Sequence, residues 1–202
     1  FVNKVRVLHA VRFTNAAGRT DYYTPTGQGL RKAFNRNPLP VTRITSRFNP
    51  NRLHPIFRTR RPHRGVDYGA PTGTPVRATG DGVVVSAGRK GGYGNAVVLA
   101  HGRSYRTLYG HLSRFARGLH SGQRVRQGQL IGYVGATGWA TGPHLHYEFQ
   151  VIGVHKDPLR VQLPHSEPIA DGELPRFSAG AAPWLAALDS TGSSSVARAP
   201  GP

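Results

Sequence analysis

The sequence predicts an all-β protein, built mainly from antiparallel sheets, with a small β-rich segment at its N-terminus and a short coil and helix tail. Glycine and proline, which interrupt helices and mark turns, account for 26 and 16 of the 202 residues. The apolar runs between them are short. Short runs separated by turn residues are typical of sandwiches and partial barrels.

Composition divides the chain into three zones. The first, 1–45, has short apolar stretches and turn residues, and it predicts a small β-rich lead-in. The second, 46–163, is denser in Val, Ile, Leu and Gly, and it predicts the main domain. The third, 164–202, is dominated by Pro, Ala, Ser and Gly, which predicts a partly flexible tail.

The predicted elements are short in every zone. In the lead-in, Val5, Val7 and residues 11–13 predict strands, and residues 30–34 predict one helical turn. In the tail, residues 185–188 predict a short helix. The main domain alternates strands with Gly-rich turns. Its predicted strands are 74–78, 82–87, 95–100, 104–111, 130–134 and 144–152.

Composition and charge exclude several classes of protein. Cysteine is absent, which excludes disulfide scaffolds, iron–sulfur clusters and a thiol nucleophile. Apolar stretches such as 96–100 are far shorter than the roughly 20 residues of a transmembrane helix, so no membrane span is predicted. The formal net charge of +18 favours an anionic partner or reflects only a solvated basic surface. Nucleic acid is not the expected partner, because RNA-binding aromatic signatures and helix-turn-helix patterns are missing.

The segment 144–151 alternates polar and apolar residues without exception. On a strand, this alternation places His144, His146 and Glu148 on one face. The two imidazoles are then about 7 Å apart along the strand. Such a pair is either part of a metal site or a solvent-facing pair on a half-buried strand. Glu148 is either an acceptor behind a ligand histidine or a partner for an arginine.

A second pattern, HxxxD, joins His63 to Asp67 in a segment whose glycines and proline favour a strand-like turn over a helix. Imidazole and carboxylate are both zinc ligands. Asp67 is also the one acid in a strongly basic stretch, so pairing with Arg61 or Arg64 is the alternative interpretation. A third pattern places His111 at the end of the predicted strand 104–111.

Taken together, two histidines and Asp67 would supply three protein ligands and leave a fourth tetrahedral position open. Catalytic zinc sites keep such a position for water, whereas structural sites are closed by four protein ligands. Two further histidines would remain to move protons. This set can activate water for the hydrolysis of an amide.

In this order, HxxxD, YxHL and HLHYE resemble the lysostaphin-type zinc endopeptidases, which cleave peptide cross-links in bacterial peptidoglycan. The resemblance covers roughly 46–161 and includes the intervening glycine-rich segments. The lead-in is similar to the Gram-negative murein DD-endopeptidases, which are larger envelope proteins. The segments that carry this second likeness are 22–25, 43–48 and 52–55.

The resemblance implies a role for each motif residue. His63, Asp67 and His146 would bind one Zn²⁺ per chain. His144 and His111 would be catalytic, with His144 preferred as general base and His111 stabilising the oxyanion and protonating the leaving amine. The two roles are interchangeable at this stage.

The function implied is zinc-dependent hydrolysis of peptidoglycan cross-links, at the bond between D-Ala and meso-diaminopimelate. The alternative is a non-catalytic envelope regulator that binds and activates a cell-wall amidase, against which the intact ligand set counts. Two other rivals are a binder of anionic polymers and a zinc peptidase that acts on proteins.

The expected partners are peptidoglycan stem peptides, whose carboxylates suit an arginine-rich groove, and a regulatory protein of the envelope. The expected location is the periplasm or cell envelope. The chain begins at Phe1 and contains no methionine, which predicts a trimmed piece of a longer protein. The resemblance to the murein DD-endopeptidases implies a membrane anchor in the part upstream.

The other histidines receive weaker expectations. His101, at the end of a predicted strand, is the main competitor as a metal ligand and is otherwise a turn or core residue. The remaining histidines considered have no partners in the sequence and are expected on the surface: His9, His120, His155 and His165.

Overall fold

The computed structural model describes residues 2–3, 6–40, 43–52 and 62–194. The predicted strand at Val5, part of the segment 52–55 and the end of the tail lie outside the described residues. The chain divides into two compact units, one of Phe1–Ala33 with Pro164–Pro202 and one of Phe34–Leu163.

The smaller unit combines short antiparallel hairpins with one helix. Phe177, Ala181 and Leu185 recur at intervals of four, so they form an apolar stripe on that helix. The stripe packs with Tyr23 and Phe13 in a small core. The elements are β1 (Val2–Asn3), β2 (Arg6–Val7), β3 (Val11–Thr14), β4 (Thr20–Tyr23), a 3₁₀ turn (Asp171–Glu173) and α1 (Leu174–Ser194).

One sequence prediction for these segments is confirmed in part and one is wrong. The helix predicted at 185–188 is present, but it extends from Leu174 to Ser194 and is 21 residues long. Gly180 and Pro183 lie inside it, and both residues normally argue against a helix. The predicted helical turn at 30–34 is absent, because Lys32 forms an isolated β-bridge with His165. Among the described residues, no helix is both long and apolar enough to cross a membrane.

The larger unit begins before the predicted main domain. Strand β5 (Arg43–Ser46) pairs antiparallel with β6 (Val66–Gly69), so residues 34–45 belong to this unit. Its other described strands are β7 (Pro75–Arg77), β8 (Gly82–Arg89), β9 (Asn95–His101), β10 (Tyr105–Phe115), β11 (Arg124–Val125), β12 (Leu130–Val134), β13 (His144–Val151) and β14 (Val154–Lys156).

These strands form one antiparallel sheet in the order β11-β8-β9-β10-β13-β6-β5. Strand β12 joins the sheet through β10 and β7, and β14 pairs with β13. The prediction of an all-β, mainly antiparallel fold is therefore confirmed. All six strands predicted for the main domain are present. Strand β6 was predicted only as a strand-like turn, and β5, β11 and β14 were not predicted.

Strand β13 runs through the middle of the sheet, and both of its faces are covered. Leu145, Tyr147 and Phe149 are at most 1% exposed and belong to the core. The Tyr147 hydroxyl lies 2.9 Å from Thr79 Oγ1, and Tyr109 hydrogen-bonds to Thr79 as well. Because these buried hydroxyls are satisfied, the strand is fixed on its core side, and its polar side chains point to the opposite face.

Strand β10 changes partners at a bulge that carries His111. Its pairing with β13 ends at Gly110, its pairing with β12 begins at Leu112, and its register against β9 shifts in the same place. His111 lies between them with a φ of 60°, a conformation that non-glycine residues seldom adopt. Bulges redirect side chains near functional sites, and this one turns the His111 ring toward β13.

Candidate metal centre and active site

Three side chains converge at the junction of β6 and β13. Asp67 on β6 stands directly opposite His146 on β13, and His63 precedes β6, where its backbone bridges Asn49. Asp67 Oδ1 lies 3.0 Å from His63 Nε2 and 2.7 Å from His146 Nδ1, and the two nitrogens are 3.2 Å apart. The expected ligand set is therefore assembled at one point.

The donor set fits a divalent metal ion. With bonds of about 2.0–2.1 Å, the ligand atoms of a tetrahedral zinc site are about 3.3 Å apart. The three atoms here are 2.7–3.2 Å apart, so a shift of a few tenths of an ångström accommodates an ion. Two imidazoles and one carboxylate leave the fourth position open, as catalytic sites do.

Both ligand imidazoles are held from behind. His63 Nδ1 is 2.8 Å from the Arg47 carbonyl. Since a carbonyl can only accept, Nδ1 donates to it, and Nε2 is the ring nitrogen that faces the cluster. His146 Nε2 is 3.2 Å from Glu148 Oε1 and donates to that carboxylate. Such outer partners fix the tautomer and orientation of metal ligands.

The charges of the cluster are strongly coupled. Burial alone raises the pKa of Asp67, but hydrogen bonds from His146 and His63 outweigh burial and hold that pKa well below its usual range. Burial lowers the pKa of His146, yet Asp67 and Glu148 together raise it to about 9. Without metal, His146 is therefore an imidazolium at neutral pH, and an incoming metal ion displaces its Nδ1 proton.

The structure decides two alternatives that the sequence left open. Within the described residues, the ion pairs of Asp67 are with histidines and not with Arg64; Arg61 lies outside those residues. His101 is not a competing ligand, because both of its ring nitrogens are hydrogen-bonded to other groups. Its Nδ1 is 2.7 Å from the Asp81 carbonyl and its Nε2 is 2.8 Å from Thr107 Oγ1.

His111 and His144 stand beside this cluster, with ring centroids 4.6 Å apart. His111 Nδ1 is 2.7 Å from the Thr137 carbonyl, and His144 Nδ1 is 2.8 Å from the Gly142 carbonyl. Both rings therefore donate at Nδ1 and keep an Nε2 lone pair free to accept a proton. His144 Nε2 is 3.9 Å from Asp67 Oδ1.

His111 is neutral at neutral pH. Burial lowers its pKa against the opposing effect of the hydrogen bond to Thr137, and the neighbouring rings of His144 and His146 lower the pKa further. A neutral imidazole can act as a general base. The matching hydrogen bonds at His111 and His144 suit either ring to that role, so their division of labour stays a prediction.

Glu148 is the centre of a network that the sequence only partly indicated. It is 1% exposed, and its Oε1 accepts from the Tyr93 hydroxyl at 2.7 Å as well as from His146. Its Oε2 lies 3.0 Å from His155 Nε2. Glu148 thus accepts from the ring of a candidate ligand, His146. His155, for which the sequence indicates no partner, is paired with Glu148 and is only partly exposed.

A cavity of about 420 Å³ opens beside the ligands. Its walls combine metal-ligand candidates with aromatic and basic side chains. The lining residues are Pro62, His63, Arg64, Tyr93, Trp139, His146 and Glu148.

Comparison with known proteins places this site in a family. Residues 61–158 match peptidase family M23. The catalytic domain of lysostaphin from Staphylococcus simulans is 34% identical, with a TM-score of 0.51, and the match covers 58% of this chain and 90% of that domain. The chain belongs to peptidase family M23. The resemblance to lysostaphin-type metallopeptidases is therefore confirmed.

Relatives within the family are longer proteins. The peptidoglycan DD-endopeptidase ShyC of Vibrio cholerae is 44% identical over 181 residues, which are 90% of this chain and 41% of ShyC. The DD-carboxypeptidase/endopeptidase Mpg of Neisseria meningitidis is 53% identical over 134 residues, 66% of this chain and 30% of Mpg. A zinc-containing peptidase from Vibrio cholerae has a TM-score of 0.65 and 40% identity, covering 77% of this chain and 47% of that chain. The present chain spans less than half the length of each of these three proteins.

Proposed function

We propose that this M23 chain is the catalytic part of a zinc-dependent endopeptidase that hydrolyses peptide cross-links of peptidoglycan. One observation carries the proposal: three metal-ligating atoms lie 2.7–3.2 Å apart, beside two histidines that each present a free Nε2. The relatives named peptidoglycan DD-endopeptidases support the choice of substrate.

In this mechanism His63, Asp67 and His146 hold one Zn²⁺ ion. A bound Zn²⁺ ion supplies Lewis acidity, which lowers the pKa of water and polarises a carbonyl oxygen. Asp67 contributes negative charge to the ligand set, and Glu148 keeps the His146 ring oriented. The metal is zinc because two imidazoles, one carboxylate and an open position make up a common donor set of catalytic zinc.

His144 and His111 move the protons. His144 accepts the proton of the attacking water at Nε2, since its Nδ1 hydrogen is held by the Gly142 carbonyl. Once protonated, an imidazole here can donate at Nε2 to the oxyanion or to the leaving amine. His111 begins neutral, with its Nδ1 hydrogen held by the Thr137 carbonyl, so its Nε2 takes up a proton from solvent before the ring can stabilise the oxyanion. The ring then passes this proton to the leaving amine, and His144 releases to solvent the proton that it took from water. We assign the base to His144 and the stabilising role to His111.

The bond cleaved is that between D-Ala and meso-diaminopimelate, on the analogy of the DD-endopeptidase relatives. The substrate is anionic and the chain carries a net charge of +18, so the two attract each other. The reaction takes place in the periplasm or cell envelope, where we also place an upstream membrane anchor and a regulatory partner protein. The complete ligand set counts against a non-catalytic amidase activator.

Digestion of purified cross-linked murein tests this function. The wild-type chain loaded with zinc converts dimeric muropeptides to monomers, and His144→Ala does not. His120→Ala is the matched control, because His120 is an exposed histidine in a loop. Persistence of the dimers with the wild-type chain would remove the proposed substrate.

A further inference from the structure

Among the cavity side chains that the mechanism does not use are an exposed arginine and an exposed tryptophan. Arg64 follows the ligand His63 directly, and Trp139 belongs to the loop before β13. Both line the same cavity as His63 and His146. A substrate bound in this cavity can therefore contact a cation and an indole.

Trp139 is 83% exposed, and both its backbone and its indole contact the turn that carries Gly92. Its backbone N–H donates to the Gly92 carbonyl at 2.8 Å. Its indole lies so close to Gly92 that a Cβ added there would stand 2.9 Å from Cε3. The preceding Gly138 has a φ of 76° and fits against Gly94. A rigid, exposed aromatic offers contact area at low cost in conformational entropy.

Arg64 supplies the free charge of the cavity. The two acids in or beside it, Asp67 and Glu148, are already hydrogen-bonded to histidines. Arg64 is exposed and forms no ion pair with any residue in the described ranges. A guanidinium binds carboxylates through paired, charge-assisted hydrogen bonds. The Arg64 guanidinium can therefore pair with a carboxylate of the substrate.

We propose that Arg64 and Trp139 form a substrate subsite for a carboxylate-bearing residue of the stem peptide. The guanidinium binds the free carboxylate, and the indole face packs on the alkyl part of the same residue. This subsite rests on the proposed function, because it takes its ligand from the peptidoglycan substrate. It selects anionic peptides over neutral ones of the same length.

Steady-state kinetics on two soluble cross-linked muropeptide dimers tests the subsite. One dimer carries free stem-peptide carboxylates and the other carries carboxamides in their place. Arg64→Gln is compared with Arg117→Gln, which removes the same charge from an exposed turn outside the cavity lining. Trp139→Ala is compared with Trp184→Ala, since Trp184 is 74% exposed on α1. Metal content is measured for every variant.

We expect Arg64→Gln to lower kcat/KM on the carboxylate dimer about tenfold to hundredfold, mainly through KM, as for loss of a charged hydrogen bond. On the carboxamide dimer, Arg64→Gln and the wild type are equal. Trp139→Ala lowers kcat/KM on both dimers about tenfold, and Trp139→Phe restores most of it. The control variants and the metal content do not change.

Two results would overturn the subsite while leaving the enzyme intact. One is an equal loss on both dimers for Arg64→Gln, or a loss no larger than that of Arg117→Gln. The other is a Trp139→Ala variant that matches Trp184→Ala. Failure of the wild type on both dimers is a different outcome, because it refutes the proposed function and the subsite with it.

Discussion

Gly65 supports the metal site without touching a metal, and replacing it with alanine is the sharpest structural test of the site. A Cβ at this position would lie 2.5 Å from the Tyr147 carbonyl oxygen and 2.8 Å from His146 Cε1. The φ of Gly65 is outside the left-handed region, so alanine can adopt the backbone conformation of this position without strain. The effect of Gly65→Ala therefore comes from the added methyl group alone.

The distances give the size of the effect. To reach an ordinary contact of 3.4 Å, the Tyr147 carbonyl oxygen must retreat by about 0.9 Å from 2.5 Å and the His146 ring by about 0.6 Å from 2.8 Å. Metal sites tolerate about 0.2 Å in ligand distance. We expect the free energy of unfolding to fall by about 1–3 kcal/mol, as for overpacked cores. Zinc affinity should fall about tenfold to hundredfold, as when an outer partner is lost.

Denaturant unfolding and zinc titration against a competing chelator measure both quantities. The matched control is Gly88→Ala on β8, where an added Cβ meets nothing within 4 Å. The control should be unchanged or up to about 1 kcal/mol more stable, because alanine restricts the unfolded chain. If Gly65→Ala and Gly88→Ala have the same free energy of unfolding and the same zinc affinity, Gly65 does not pack closely against His146.

Three further predictions concern the histidines and their partner. His111→Ala and His144→Ala should each retain about one zinc per chain and lose about 10²–10⁴-fold in cleavage rate. Murein digestion and metal analysis measure both quantities, and a variant that cleaves at the wild-type rate would show that its histidine is not catalytic. Glu148→Gln should weaken zinc binding about tenfold to hundredfold. Competition with a chelator measures this affinity, and an unchanged value would contradict the prediction. In metal-free protein, pairing raises the pKa of His146 from 6.5 to about 9. Its contribution to stability is therefore complete below about pH 6.5 and lost as pH rises through about 9. Denaturant unfolding of EDTA-treated protein across this pH range should show the loss of stability in the wild type and not in His146→Ala. The same dependence of the free energy of unfolding on pH in both proteins would refute this prediction.

The local part of the site could be predicted because strand geometry is local. Alternation along 144–151 placed His144, His146 and Glu148 on one face, and the structure has them there. The fold class followed from the same kind of signal. The residue roles came from the resemblance to a family, since spacing alone does not show that His63 and Asp67 meet β13.

What could not be predicted depends on contacts between distant segments. His155 reaches Glu148 because β14 folds back on β13, and nothing in its own sequence neighbourhood signals a partner. The Trp139 indole packs against Gly92, 47 positions earlier in the chain. In α1, the intrinsic preferences of Gly180 and Pro183 are outweighed by burial of Phe177 and Ala181, which are 1% and 2% exposed.

The central claim is that His63, Asp67 and His146 hold the catalytic metal, and one paired measurement tests it most directly. Zinc content and murein cross-link cleavage are determined for the wild type, for His146→Ala and for the exposed-histidine control His120→Ala. The account predicts about one zinc per chain with cleavage in the wild type and the control, and the loss of both in His146→Ala. Cleavage by His146→Ala at the wild-type rate, or by wild-type protein stripped of metal, would contradict it.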